Sequence, residues 1–103
     1  MEKQAIAATA AAMVSDGDTV LLDAGTSALQ VAMLLLERQG LTFISNGADI
    51  IAEVIRSGRH SLYAVGGEYA EINRAFRGPL AEQFIRQFSV DKLILNAAAI
   101  DLD

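Results

Sequence analysis

Residues 21–28 read LLDAGTSA, and the organisation of the chain follows from how this stretch is read. An apolar run that opens at Thr19 stops at Asp23. Gly25, Thr26 and Ser27 follow, a flexible residue and two small hydroxyls, and a new apolar stretch begins at Ala28. TVLLD over 19–23 is short, β-branched or apolar, and bounded by turn residues, which predicts a buried strand. Ser27 with Gln30 three positions later matches a capping box, S-x-x-Q, so a helix is predicted from Ala28 to Arg38, closed by Gly40. A strand-to-helix turn therefore delivers a carboxylate, a glycine and two hydroxyls to one point. It is either an ordinary connection or the lip of a ligand pocket.

The same pattern repeats outward. Upstream, residues 3–15 predict a helix with Ile6, Ala10, Met13 and Val14 on one face, ended by SDGD, where Gly17 supplies a left-handed residue. Downstream, LTFIS (41–45) predicts a second strand. After Asn46-Gly47 comes a helix with Ile50, Ile51, Val54 and Ile55 inward and Gly58 at its end. SLYAV (61–65) predicts a third strand, which runs into Gly66-Gly67. Residues 67–77 lack a period and are read as a loop. GPLAEQFIRQF opens a fourth helix with Pro79 in its first turn and Leu80, Phe84, Ile85 and Phe88 on one face. KLILN (92–96) predicts a fourth strand. Continuous apolar strands separated by helices imply burial on both faces and a parallel arrangement. The expected fold is a three-layer, Rossmann-like, doubly wound α/β sheet, mainly parallel, of about four strands with flanking helices.

Right-handed crossovers place the carboxyl end of every parallel strand on one edge. Those ends read DAGTS, SNG, GGE and NAA, all small or polar. Ligands of open α/β sheets bind outside this edge. The expected pocket is lined by Asp23, Gly25, Thr26, Ser27, Asn46, Gly66 and Gly67, with backbone amides and hydroxyls suited to a phosphate and Asp23 suited to a polyol. Each piece has an ordinary reading as well: Thr26 or Ser27 as a helix cap, Asn46-Gly47 and Gly66-Gly67 as turns. His60 reads as a solvated loop residue, and Tyr69 and Phe76 as local packing. Arg74 and Arg77 lie in the irregular segment within reach of an anion, but surface arginines are common and they read as surface charges. The convergence of four strand ends carries the pocket reading.

Composition narrows the function classes. The chain has 103 residues, 52% hydrophobic and 20% charged, the profile of one small globular domain. It has no cysteine and a single histidine, so disulfides, thiolate chemistry and a multi-histidine metal site are excluded, and no cofactor or metal is expected. The net charge is −5, which disfavours nucleic-acid binding by this chain but not a small anion held at a helix N-terminus. No apolar run approaches the ~18 residues of a membrane span, and the start MEKQAIAATAAAMVSDGD lacks a secretory signal pattern. A cytoplasmic protein without membrane contact is expected.

Taken in order, D-G-D-T (16–19), D-x-G-T-S (23–27), S-N (45–46), G-G-E (66–68), G-P-x-A-E (78–82) and V-D-K (90–92) resemble the C-terminal sensor domain of DeoR-family bacterial transcriptional regulators over essentially the whole chain. The resemblance implies a fold similar to ribose-phosphate isomerases and CoA-transferase-like proteins. It also implies a role, binding a phosphorylated sugar or related metabolite to control an attached winged helix-turn-helix that carries DNA binding. It assigns effector contact to Asp23, Gly25, Thr26, Ser27, Asn46, Gly66 and Gly67, and puts the segment Ala98 to Asp101, with Asp101 as a ligand contact, at the fourth strand end. It further implies that residues 1–103 are part of a longer sensor domain and that the protein self-associates. NAAAID (96–101) departs from the family, which often has glycine and serine there.

Two other functions fit the same fold. A sugar-phosphate isomerase needs a positioned carboxylate and a lysine. The relevant stretch here is AAAID, which keeps only Asp101, and Lys92 sits at the start of its strand, on the wrong edge. A dimerisation module without ligand is the third reading, and the clustered polar strand ends argue against it.

Overall fold

The computed structural model describes residues 2–96 and 98–102. Its elements are α1 (Glu2–Ala12), β1 (Thr19–Leu22), α2 (Thr26–Leu35), β2 (Thr42–Ser45), α3 (Ala48–Ser57), β3 (Ser61–Ala64), β4 (Glu68–Ala70), β5 (Ala75–Arg77), α4 (Pro79–Ile85), β6 (Lys92–Leu95) and β7 (Ala98–Asp101). The main sheet has the order β3-β2-β1-β6-β7, with β1, β2, β3 and β6 parallel and β7 antiparallel to β6. β4 and β5 form a separate antiparallel pair. The fold is the expected three-layer, mainly parallel α/β architecture.

Alternate side chains of each strand serve the two layers. Val20, Leu22, Phe43 and Ile94 join α1, α2 and α3 in the main core. Leu21 and Ile44 turn to the other face, where Ala81, Phe84 and Ile85 of α4 meet them. Burial on that second face is incomplete. Three of the four β3 residues are exposed, and Tyr63 lies against Phe88 with ring centroids 4.8 Å apart. The parallel core strands are thus closed on both sides only at the centre of the sheet.

Several expectations shift. In α1 the buried face is Ala7, Ala10 and Ala11, continued by Val14, while Ile6 and Met13 point to solvent. Alanines let α1 sit close on Ala28, Val31, Ala32 and Leu35 of α2, so small size rather than hydrophobic bulk marks this interface. Arg38 closes the end of α1, its guanidinium donating to the carbonyls of Ala11 (2.6 Å) and Val14. In α3, Ile50 and Val54 are buried but Ile55 is 66% exposed. Leu80 of α4 is likewise exposed, and Ala81 packs in its place. His60 is half-buried rather than solvated. Its ring meets Phe43 edge-on at 5.2 Å, and Nε2 lies 3.1 Å from the Leu36 carbonyl oxygen.

Two elements were not expected. Residues 67–77, read as a loop, contain the β4–β5 hairpin, with Glu68 opposite Arg77, Tyr69 opposite Phe76 and Ala70 opposite Ala75. Three-residue strands are too short for a period of two to emerge. β7 adds a fifth strand to the main sheet, and its antiparallel direction matters for the site. Ala98 lies beside Leu95, but Asp101 lies beside Lys92, at the amino edge of the parallel strands.

Candidate functional site

Two hydrogen bonds lock the carboxyl ends of β1 and β2 together. Ser45 is fully buried; its hydroxyl donates to the Leu22 carbonyl (2.8 Å) and accepts from the Gly47 N–H (3.0 Å). The β1 end is tied on its other side by the Asp23 N–H donating to the Ile94 carbonyl at 3.1 Å. Asp23 and Asn46 therefore leave the sheet side by side.

The β4–β5 hairpin is laid along this edge. Phe76 donates its N–H to the Asn46 carbonyl (2.8 Å), the Asn46 amide donates to the Phe76 carbonyl (3.4 Å), and the Ala48 N–H donates to the Arg74 carbonyl (2.9 Å). Tyr69 and Phe76 stack at 5.3 Å, as the local-packing reading expected. The hairpin tip is pinned by a bidentate ion pair, Arg74 Nε and Nη2 each 2.8 Å from an Asp49 oxygen. The Arg74 bond and charge hold the Asp49 carboxyl below the usual carboxylate range and raise Arg74. Arg74 is thus committed to the scaffold.

Three adjoining cavities result. The smallest, about 210 Å³, is lined by Asp23, Ala24, Asn46, Asn73, Ala75 and Arg77. A second of about 290 Å³ shares Ala24 and Asn73 with it and includes Gly25, Thr26, Gly47 and Asp49. The largest, about 700 Å³, shares Asn46 and Arg77 and runs beneath β4 to Glu68, Glu82 and α4. The second cavity lies at the starts of two helices. α2 and α3 are capped by Gly25 and Gly47, neither with a side-chain cap bond. Their first-turn N–H groups carry partial positive charge and lack side-chain partners.

The expected site residues divide. Asp23 and Asn46 line one cavity, and Gly25 and Thr26 line its neighbour. Ser27 does not form the expected capping box. α2 starts earlier, at Thr26, because Gly25 takes φ 139°, ψ 158°, a conformation reserved to glycine, and turns the chain there. Ser27 is half-buried inside the first turn. Gly66 lines none of these cavities, and Gly67 lies beneath the hairpin, where an added Cβ would stand 2.6 Å from the Arg77 carbonyl oxygen. Asp101 is not at this edge, because β7 runs antiparallel and carries it to the opposite one. Beside it there, Lys92 bonds Asp18 at 3.3 Å. Burial opposes the Lys92 charge, but the Asp18 bond and the nearby Asp101 and Asp91 carry its pKa upward. Asn96 faces a different cavity, with Ile6 of α1 and Met13 just after it; Ala97 lies outside the described residues. Asn73 was passed over in the sequence, and Arg77, weighed there as within reach of an anion, was read as a surface charge; both lie in the aperiodic stretch EINRAFR (71–77) before Gly78.

No group of three or more His, Asp or Glu side chains able to hold a metal occurs among the described residues, and none of their helices is long and apolar enough to cross a membrane.

Comparison with known proteins agrees with this architecture. The DeoR C terminal sensor domain matches residues 1–103. The chain is similar to the transcriptional repressor AccR of Agrobacterium fabrum, 68% identical over 102 residues that make up 99% of this chain and 40% of that protein. To YulB, an HTH-type transcriptional regulator of Bacillus subtilis, it is 35% identical over 99% of this chain and 39% of that protein. To the glycerol-3-phosphate regulon repressor of Escherichia coli it is 29% identical over 99% of this chain and 40% of that protein. The chain therefore spans about two fifths of the length of these relatives. They are regulators by name, and the part they share with this chain is a sensor domain rather than an enzyme. By sequence over its whole length, the chain belongs to the family of DeoR C-terminal sensor domains.

Proposed function

We propose that the strand-end cavities bind a phosphorylated sugar or a similar small anionic metabolite, and that this occupancy controls DNA binding by a helix-turn-helix elsewhere in the whole regulator. The observation that carries the reading is the junction of two cavities at Ala24 and Asn73. On one side stand the Asp23 carboxylate and the Asn46 amide, groups that accept from and donate to hydroxyls. On the other side the start of α2, capped by Gly25 without a side-chain bond, offers amide N–H groups, which suit an oxyanion, while the Gly47 and Ala48 N–H groups at the start of α3 are already donated to Ser45 and Arg74. One ligand carrying both hydroxyls and a phosphate satisfies both sides. A relative named for glycerol 3-phosphate supports the same chemistry. Within this reading the protein works in the cytoplasm, takes no cofactor, and self-associates.

A thermal-shift screen of sugar phosphates against their free sugars tests the proposal. A ligand at ~100 times its Kd adds roughly 2.7 kcal/mol to stability. The expected result is a rise with a phosphate ester, little with its free sugar, and a smaller rise in Asp23→Ala and Thr26→Ala. Equal affinity in both variants and the parent removes these residues from the site.

A further inference from the structure

We propose that Arg77 is the specificity-determining cation of this site: held by Asn73 where the cavities meet, its guanidinium takes the oxyanion of the ligand, while Asp23 takes hydroxyls. The inference rests on the phosphorylated-ligand reading above and adds the residue that selects for charge.

Four observations place the charge. First, Arg77 lines both the smallest and the largest cavity. Second, none of the ion pairs among the described residues includes Arg77, whereas Arg56, Arg59, Arg74 and Lys92 each have a carboxylate. Third, Arg77 Nη1 donates to the Asn73 side-chain oxygen at 2.8 Å. A neutral amide oxygen orients the guanidinium without neutralising it and leaves its other N–H groups for a bidentate partner. Fourth, that bond draws the guanidinium toward Asn73, the residue common to the two smaller cavities, although Glu68 stands directly across the hairpin from Arg77. An anion is repelled by Glu68 and Glu82 in the larger cavity; on the Asn73 side the Asp49 charge is paired with Arg74 and Asp23 is the remaining carboxylate, so the anion belongs between Arg77 and the start of α2, with hydroxyls at Asp23.

The backbone supports this placement. Arg77 is the last residue of β5 and precedes Gly78, the cap of α4. Its carbonyl packs where a Cβ on residue 67 would lie. Gly67 is therefore a positioning residue that acts through Arg77.

The test is calorimetric titration of glycerol 3-phosphate, glucose 6-phosphate and gluconate, with glycerol and glucose as uncharged controls. The proteins are the parent, Arg77→Gln, Arg77→Lys and Arg86→Gln, a charge loss at the exposed residue that caps the end of α4. Matched melting curves establish that each variant is folded. The inference expects ester binding to fall at least about tenfold in Arg77→Gln, to recover in part in Arg77→Lys, and to persist in Arg86→Gln. Esters that bind Arg77→Gln as tightly as the parent overturn the inference and leave the phosphate reading standing. Gluconate bound in an Arg77-dependent way, with no ester bound, keeps Arg77 as the anion residue and overturns the phosphate reading. A parent that binds none of the charged probes overturns both.

Discussion

Ser45 shows how one side chain sets the geometry of a site it does not line. Its hydroxyl bridges the Leu22 carbonyl and the Gly47 N–H, both at the cavity edge. Ser45→Ala removes a buried donor and acceptor at once, and a loss of about 1–3 kcal/mol in urea unfolding is expected. A loss near zero means that the strand ends hold without it. The two neighbouring glycines provide a sharper contrast. A methyl at Gly66 meets nothing within 4 Å, whereas at Gly67 it meets the Arg77 carbonyl at 2.6 Å with φ at +149°. Gly66→Ala is expected within about 0.5 kcal/mol of the parent, and Gly67→Ala to cost about 1–3 kcal/mol. Both glycines stood out equally in the sequence. Only their surroundings separate them, because the clash partner is ten residues away along the chain. Asp23 and Asn46 were legible because each ends an apolar run. Arg77 was noticed but read as a surface charge, because an arginine in an aperiodic segment carries no sign of where its strand will lie.

At the scale of elements, the β4–β5 hairpin is what turns an open sheet edge into walled cavities. It is anchored along β5 by the Phe76 backbone bond to Asn46, and at its tip by the Ala48 bond to the Arg74 carbonyl and by Arg74 on Asp49. Arg74 takes φ 51°, an uncommon setting for a side-chain-bearing residue, and the ion pair holds it there. The tip is otherwise weakly packed, with Ile72 92% exposed. The latch has a defined pH window. The Asp49 pKa is lowered from 3.8 in the folded protein, so its contribution is complete above 3.8 and is lost as pH falls through the lower folded value. An NMR titration is expected to show residues 71–76 shifting in one step below pH 3.8, and Asp49→Asn is expected to show the low-pH shifts at neutral pH. Unchanged tip resonances in Asp49→Asn would falsify the latch. The element also shows a limit of pattern reading. Helices α2 and α3 and the parallel strands announce themselves by runs of apolar residues, but strands of three residues held mainly by backbone bonds leave no hydrophobic signature.

Across the whole molecule, charge and topology decide what the domain can do. A net charge of −5 opposes a phosphate backbone, so this chain is expected to give no electrophoretic shift of duplex DNA at physiological salt. A shift by this chain alone contradicts that. The placement of Asp101 is a topological outcome. Residues 98–101 follow the fourth parallel strand, and a crossing to the ligand edge was expected of them; instead β7 turns back antiparallel and carries Asp101 beside Lys92. What the sequence by itself determined is the class of fold, the parallel core strands and the polar ends of β1 and β2, because burial and turn chemistry are local properties written in periodicity and in residue type. What only the tertiary structure decided is which polar groups meet. Asn73 and Arg77 line one cavity with Asp23, Asp101 lies at the opposite edge, and Arg74 is spent on Asp49. Those outcomes depend on strand direction and on hairpin docking between residues tens of positions apart, and no local pattern encodes them.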